Sequence, residues 1–450
     1  RKFIIMYFNE NINLEVHQFL ESDVPFQGVG GVEKQAPLVY TQNNAPSLSD
    51  GLFSVPDNVY IEDGKLTIID KDTGEVLTEK TPNPRAERWA LKSVVNKLMP
   101  KSRTSKCHRW RIPTQKPTVY RKHDAEKPRA FYGGLEVCAN VWACPVCAAK
   151  ISERRREELK RAIEEAKRQG LHVSMLTLTA PHYKGDDLAG LLNKMTSAQT
   201  KLWKDKAGKR LIETYGIVGR IRAFEVTYGE NGFHPHFHIL LFTERLFEPS
   251  SMSEAFYRVW KHCCVSKGLG EPSLKHGVRF DVADEAIGDY VAKWGLDSEM
   301  TKGHVKRSKT GYSMTDLLRA YLYTNDKQFS KLWLVYAKAF KGKRQLVWTN
   351  GLKSRLLVEE QSDEELATAQ VEEAEKFAEF TAEQWQAIYR TDSEFYVLNC
   401  VEKNPAGFDD FINKLCKLSA EMAVGRGGRG DVHVARARPT RPNARGREDV

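Results

Sequence analysis

The chain has 450 residues, enough for two or three domains and a sizeable core. Its formal net charge is +10 and 10% of its residues are aromatic, a balance that suits a polyanionic partner, either nucleic acid or an anionic membrane surface. No apolar run is long enough to span a bilayer, and Phe3-Ile-Ile-Met-Tyr-Phe8 is too short for a signal-peptide core, so a cytoplasmic protein is expected.

Residues 1–85 are polar and weakly periodic, an extension without visible chemistry; Val59 to Asp70 reads as a small hairpin around Asp63-Gly64. Residues 86–170 carry Cys107, Cys138, Cys144 and Cys147 and end in a helical run from Ser152 to Gln169, stopped by Gly170. Within 171–350 the pattern changes. Leu171–Thr179 reads as a strand and Leu188 to about Lys206 as a helix. Ile217–Tyr228 and Phe233–Phe242 read as paired strands, Met252 to Lys267 as a helix, Val278–Val282 as a strand and Asp284–Gly295 as a helix. The order βαββαβ predicts an α+β, ferredoxin-like antiparallel sheet with its third strand central. Residues 296–330 are basic, with Lys302, His304, Lys306, Arg307 and Lys309. A helix is expected over 331–340 and a strand over 344–348. Residues 351–424 read as an acidic helical region, and 425–450 as a disordered Arg/Gly-rich tail.

The third strand carries His234-Pro-His236-Phe-His238. Alternate strand residues share a face, so His236 and His238 project side by side, as ligands for a divalent metal would. A solvated histidine patch is the bland alternative. Gly229-Glu-Asn-Gly232 is a turn signal that pairs this strand with Arg222–Gly229. With Asn231-Gly232 as the loop, Glu225 faces His238; with Glu230-Asn231, it faces His236. Either way Glu225 is a candidate third ligand, in competition with His234.

The other two constellations carry less weight alone. Cys144-Pro-Val-Cys147, with Cys138 and Cys107 upstream, fits a closed tetrahedral zinc site. Cys107-His108 leaves its fourth ligand open, and a redox pair or buried thiols remain alternatives. Cys263, Cys264, Cys400 and Cys416 read as packing residues. On the helix after the fourth strand, Tyr290, Lys293 and Trp294 share one face. A lysine one turn from a tyrosine can stabilise a phenolate or bind a phosphate oxygen; a core tyrosine beside a snorkelling lysine is the alternative.

Together these pieces resemble the plasmid rolling-circle replication initiators of the HUH endonuclease superfamily. Leu176-Thr-Leu-Thr179 resembles the first motif, His234-Pro-His-Phe-His238 the second and Tyr290-Val-Ala-Lys293-Trp294 the third. Val141-Trp-Ala-Cys144-Pro-Val-Cys147-Ala-Ala-Lys150 resembles the cysteine segment of plasmid members. The resemblance implies a nuclease that nicks one DNA strand at an origin and later rejoins it. Mn2+ or Mg2+ would sit on His236, His238 and either Glu225 or His234. Tyr290 would be the nucleophile with Lys293 beside it, leaving a 5′-phosphotyrosine and a 3′-OH primer. Zn2+ on the four cysteines would be structural. Lys302, Lys306, Arg307 and Lys309 would contact single-stranded origin DNA, and host helicase and polymerase would follow. Trp294 stands where many relatives have a second tyrosine, which leaves Glu285 or Asp289 to activate water at termination. A transposase or relaxase of the same superfamily, and a non-catalytic zinc-containing DNA-binding regulator, remain open.

Overall fold

A computed structural model describes residues 58–282, 311–368 and 374–424, apart from 63–64, 70, 72–73, 78–82 and 124–127, together with the strands β1 (Tyr7–Phe8) and β2 (Leu14–Glu15). The chain divides into two units, residues 1–46 and 47–450. In the first, β1 pairs with β2 antiparallel. The tail from residue 425 lies outside the described residues.

The second unit is α+β, and every strand pairing among its described residues is antiparallel. It begins with β3 (Val59–Glu62) and β4 (Lys65–Ile68), the expected hairpin, with Glu62 facing Lys65. Next come α1 (Pro84–Leu98), α2 (Arg103–Lys106), β5 (Thr118–Lys122), β6 (Arg129–Gly133) and α3 (Pro145–Arg168). Asn83 caps α1, its side chain accepting from the amides of Arg85 and Ala86.

The larger sheet is built from β7 (His172–Thr179), β8 (Ile217–Gly229), β9 (Gly232–Thr243) and β10 (Val278–Val282). Between them run α4 (Leu188–Lys204), α5 (Lys206–Thr214) and α6 (Pro249–Ser266). The expected single helix over 188–206 breaks at Asp205, which ends α4 and starts α5. After the segment 283–310 follow α7 (Met314–Thr324), α8 (Lys327–Ala339) and β11 (Leu346–Trp348). The five strands lie in the order β10-β7-β9-β8-β11, so the histidine strand β9 is in the middle.

The two faces of β9 explain its composition. Phe237, Ile239 and Leu241 point to one side, where Phe224 meets Phe340 after α8 at 5.4 Å and Phe280 meets Phe256 of α6 at 5.1 Å. His236, His238, Leu240 and Phe242 point to the other. There α3 lays Leu159, Ala162, Ile163 and Ala166 over Val173, Met175, Ile221, Ala223, Leu240 and Phe242. Helix α3 thus covers the apolar half of this face, and the half with the histidines stays uncovered by that core.

The region expected to be acidic and helical contains a strand. It comprises α9 (Leu352–Arg355), α10 (Asp363–Thr368), β12 (Glu375–Glu379), α11 (Ala382–Arg390), α12 (Glu394–Lys403) and α13 (Phe408–Val424). Strand β12 joins β5 and β6 in a second sheet, in the order β12-β5-β6. The same region is tied to the cysteine-bearing part: the Trp385 indole donates to the Arg109 carbonyl at 2.7 Å, and the Tyr132 hydroxyl to the Glu394 carbonyl at 2.7 Å.

Candidate functional site

The hairpin register is the first determinant of the site. Gly229 pairs with Gly232, so Glu230 and Asn231 form the loop and Glu225 faces His236. A φ of +85° at Gly232 and the Lys184 Cα, only 2.9 Å from where a Cβ would stand, require glycine at that turn.

This register brings three donors together. The Glu225 Oε2 lies 3.2 Å from the His236 Nε2 and 2.9 Å from the His238 Nε2. Glu225, His236 and His238 form a group whose ligand atoms all lie within 4.8 Å of one another. His238 is buried, whereas the Glu225 side chain is 45% exposed, so the group opens to solvent on the carboxylate side. Strand β7 supports it from behind: the Thr177 Oγ1 hydrogen-bonds the His238 Nδ1 at 3.1 Å, leaving Nε2 as the atom turned to Glu225. Burial works against the ionised Glu225 carboxyl, but the His236 and His238 imidazoles outweigh it and hold the group well below the usual carboxylate range. Burial also lowers His238, against the pull of Glu225, while His236 is raised by Glu225 in spite of burial.

His234 does not join this group. Its ring stacks on His182 with centroids 4.5 Å apart, and burial with the neighbouring His236 brings its pKa down to about 4. His182, on the loop after β7, was not singled out by the sequence; its stacking partner lies 52 positions away in the chain, which no local pattern reveals.

One carboxylate and two imidazoles on one side of a point suit a divalent cation whose other positions stay open. The second candidate centre is closed. Cys107, Cys138, Cys144 and Cys147 are buried with their sulfurs within 4.8 Å of one another. The Sγ separations are 3.5 Å for Cys107–Cys147, 3.7 Å for Cys138–Cys147 and 3.8 Å for Cys107–Cys144. A tetrahedron with zinc–sulfur bonds of about 2.3 Å has edges of about 3.8 Å, so the four residues fit zinc. Backbone amides add to the fit: Cys138 N–H points at the Cys107 Sγ at 3.3 Å and Asn140 N–H at the Cys138 Sγ at 3.5 Å. Cys144 is the N-cap of α3 and Pro145 its first residue, which sets Cys144 and Cys147 at the positive end of a long helix.

His108 stays outside the thiol group. It adopts a φ of 54°, is buried against Trp89 with ring centroids 5.6 Å apart, and neither ring nitrogen has a hydrogen-bond partner. Burial drives its pKa down to about 3, so it is neutral.

The remaining candidates fall elsewhere. Tyr290, Lys293, Trp294, Glu285, Asp289, Lys302, His304, Lys306, Arg307 and Lys309 lie outside the described residues. Cys263, Cys264 and Cys400 are buried and Cys416 half-buried, none of them in either group.

Comparison with known proteins gives this arrangement a family. The chain belongs to the family described as Replication protein, which matches residues 135–397. That span holds the whole histidine hairpin and three of the four cysteines, while Cys107 lies outside it, upstream. Among individual relatives, a "Protein rep" from Streptomyces lividans is 27% identical over 295 residues, covering 50% of this chain and 64% of that protein. A "Protein rep" from Bacillus amyloliquefaciens is 35% identical over 127 residues, covering 28% of this chain and 36% of that protein. A "Neomycin resistance protein" from Streptomyces cyanogenus is 32% identical over 133 residues, covering 24% and 30% respectively. The chain thus spans less than two thirds of each of these relatives. No solved structure matches it.

Proposed function

We propose that the chain is a plasmid rolling-circle replication initiator of the HUH type, which nicks one strand of origin DNA through Tyr290 and rejoins strands at the end of the cycle. The observation that carries this reading is the convergence of Glu225, His236 and His238 on the half of the sheet face that α3 leaves clear, in a chain of the replication family. The strand order also supports the ferredoxin-like reading: numbered within the nuclease, β10-β7-β9-β8 is fourth, first, third, second.

A bound Mn2+ or Mg2+ would polarise the scissile phosphate and offset the charge that develops on it. The chain's own residues do the rest. Glu225, His236 and His238 hold the cation and Thr177 fixes the His238 ring. The Tyr290 phenolate attacks phosphorus, forming the tyrosyl ester as the bond to the 3′ oxygen breaks. Lys293 steadies the phosphate or the phenolate, and Lys302, Lys306, Arg307 and Lys309 follow the single strand. The 3′-OH left behind primes host synthesis, with a host helicase opening the duplex. The four cysteines hold a structural Zn2+ at the head of α3.

The test is a covalent one. The full chain is incubated with Mn2+ and a single-stranded oligonucleotide spanning the origin nick site, labelled at its 3′ end. A protein-linked product whose adduct maps to Tyr290 by mass spectrometry is the expected result. Cleavage without an adduct would make the protein a hydrolytic nuclease, and binding without cleavage would make it a non-catalytic regulator.

A further inference from the structure

We infer that Arg279 is a phosphate-binding residue that holds the DNA backbone beside the Glu225–His236–His238 group, with Asp281 as its partner when no DNA is bound. The inference rests on the nucleic-acid reading above and concerns a residue that reading leaves without a role.

Register places Arg279 in the row of the site. Arg279 faces Thr177 across β10–β7, and Thr177 faces His238 across β7–β9. Residues directly opposite in a ladder share a face, and the 3.1 Å contact between Thr177 and His238 shows that they do so here. Two strand spacings separate the Arg279 and His238 backbones by roughly 10 Å. That gap takes one phosphodiester between an extended arginine side chain and the imidazole.

Cover and charge point the same way. The next row on this face, Asp281–Met175–Leu240–Ile221, runs into the core under α3, whereas the Arg279 side chain is 67% exposed. The open part of this face therefore starts at the β10 end of the Arg279 row, whose other end, Ala223 and Leu346, packs on the core. Outside the core this row and the one beyond it hold Arg279, Thr177 and His238, then Thr179, His236 and Glu225. Arg279 carries the one permanent positive charge among them, three strands along the same face from the Glu225 carboxylate.

Its contact with Asp281 suits displacement. The Arg279 Nε and Nη2 both donate to one oxygen of Asp281, at 3.0 and 2.7 Å. This is not the two-oxygen fork that a guanidinium makes with a carboxylate or a phosphate. An exposed ion pair of this kind contributes little to stability, so a phosphate can replace Asp281 at small cost. Asp281, two residues along the same face, holds the guanidinium near where the phosphate arrives.

The experiment compares the full-length wild type with Arg279→Gln, Arg279→Lys and Asp281→Asn. Binding to a fluorescent single-stranded oligonucleotide spanning the nick site is followed against salt in the presence of Mn2+. Mn2+ binding without DNA is measured by calorimetry. Arg279→Gln is expected to reduce the slope of log K against log salt by about 0.7, the loss of one phosphate contact on a single strand, with Mn2+ binding intact. Arg279→Lys should keep the slope and lose part of the affinity, because it keeps the charge and not the fork. Asp281→Asn should bind DNA more tightly. Wild-type slope and affinity in Arg279→Gln would overturn the assignment while leaving the replication reading standing, and so would loss of Mn2+ binding in that variant. A wild type that binds no single-stranded DNA would overturn both.

Discussion

The Thr177 hydroxyl and the His238 imidazole join two strands at one point, Oγ1 to Nδ1 at 3.1 Å, on the side of the ring away from Glu225. Leu176-Thr-Leu-Thr179 is a weak motif read alone. Its physical content is this contact and the neighbouring pairing of Thr179 with His236. A hydroxyl on Nδ1 fixes the ring so that Nε2 faces the shared ligand position. Loss of such an outer partner lowers metal affinity by about 10- to 100-fold in well-studied sites. Thr177→Val keeps the shape and removes the hydrogen bond. Its Mn2+ affinity should fall by about tenfold or more with thermal stability little changed. An unaltered calorimetric affinity would show that the His238 ring is held by packing alone.

Gly232→Ala tests whether the turn sets the register. The substitution puts a Cβ at a φ of +85° and against the Lys184 Cα. It should lower stability by about 1 kcal/mol or more, and Mn2+ affinity should fall with it, because the turn aligns Glu225 with His236. Denaturant midpoints and metal titrations on the same preparation check both. Lower stability with full metal affinity would separate the turn from the site.

The thiol cluster acts on the sheet through α3. Cys147 lies in the first turn of that helix, and Leu159, Ala162, Ile163 and Ala166 further along cover the sheet. Structural zinc binding is worth about 10 kcal/mol or more in small folding units, so Cys144→Ser or Cys147→Ser should destabilise the fold instead of slowing chemistry selectively. Metal analysis after mild chelation should find about one tightly held zinc per chain. A zinc-free preparation that is fully folded, with reactive thiols at both positions, would favour the redox reading.

Some of this was legible in the sequence because it is local. Alternation marked the histidine face, and Gly229-Glu-Asn-Gly232 marked a turn with two possible loops. The fold takes the Glu230-Asn231 loop, with the Lys184 backbone against Gly232, a contact no local pattern shows. The C-x2-C spacing is local as well, whereas the inclusion of Cys107 and the packing of His108 on Trp89 show only in the fold. The second sheet was invisible: β12 is the short, charged run Glu375-Lys-Phe-Ala-Glu379, and its partner β5 lies more than 250 positions away. Helix α7 was not. Ser313 and Asp316 form a capping box ahead of Leu317 and Leu318, a readable start signal in a stretch judged by its charge.

Contact between the C-terminal region and the cysteine-bearing part creates a pH dependence. Two carboxylates share Arg109: Asp392 at 2.7 Å and Glu394 at 3.4 Å. Glu394 is buried, and burial raises its pKa from 4.5 to about 7 against the pull of Arg109. The folded state therefore holds this proton more tightly than the unfolded state. The resulting stabilisation is fully present below about pH 4.5 and is lost as pH rises through about 7, a difference of roughly 3 kcal/mol at most. Glu394→Gln keeps the neutral shape at every pH. Urea midpoints should show its stability falling less than that of the wild type between pH 5 and 7.5, each buffer run in parallel. Identical pH profiles would show that Arg109 keeps Glu394 ionised.

The proposed nucleophile separates chemistry from the metal centre. Tyr290→Phe removes one hydroxyl and none of Glu225, His236 or His238. Origin binding and Mn2+ affinity should therefore match the wild type, while the covalent DNA adduct and strand rejoining disappear. His236→Ala with His238→Ala should give the opposite profile, with Tyr290 intact, weak metal binding and no cleavage. Adding Mn2+ in excess should restore part of the activity to Thr177→Val, whose ligands are all present, and none to Tyr290→Phe. Recovery of the adduct in Tyr290→Phe, mapped to Tyr312, Tyr321 or Tyr323, would move the nucleophile to α7 or to the position two residues before it. Tyr312 is an unfavourable replacement: its hydroxyl is committed to the Val59 carbonyl at 3.0 Å, and burial raises its pKa to about 12. A phenol held in that state is a poor nucleophile near neutral pH, so an adduct there would require this strand contact to open first.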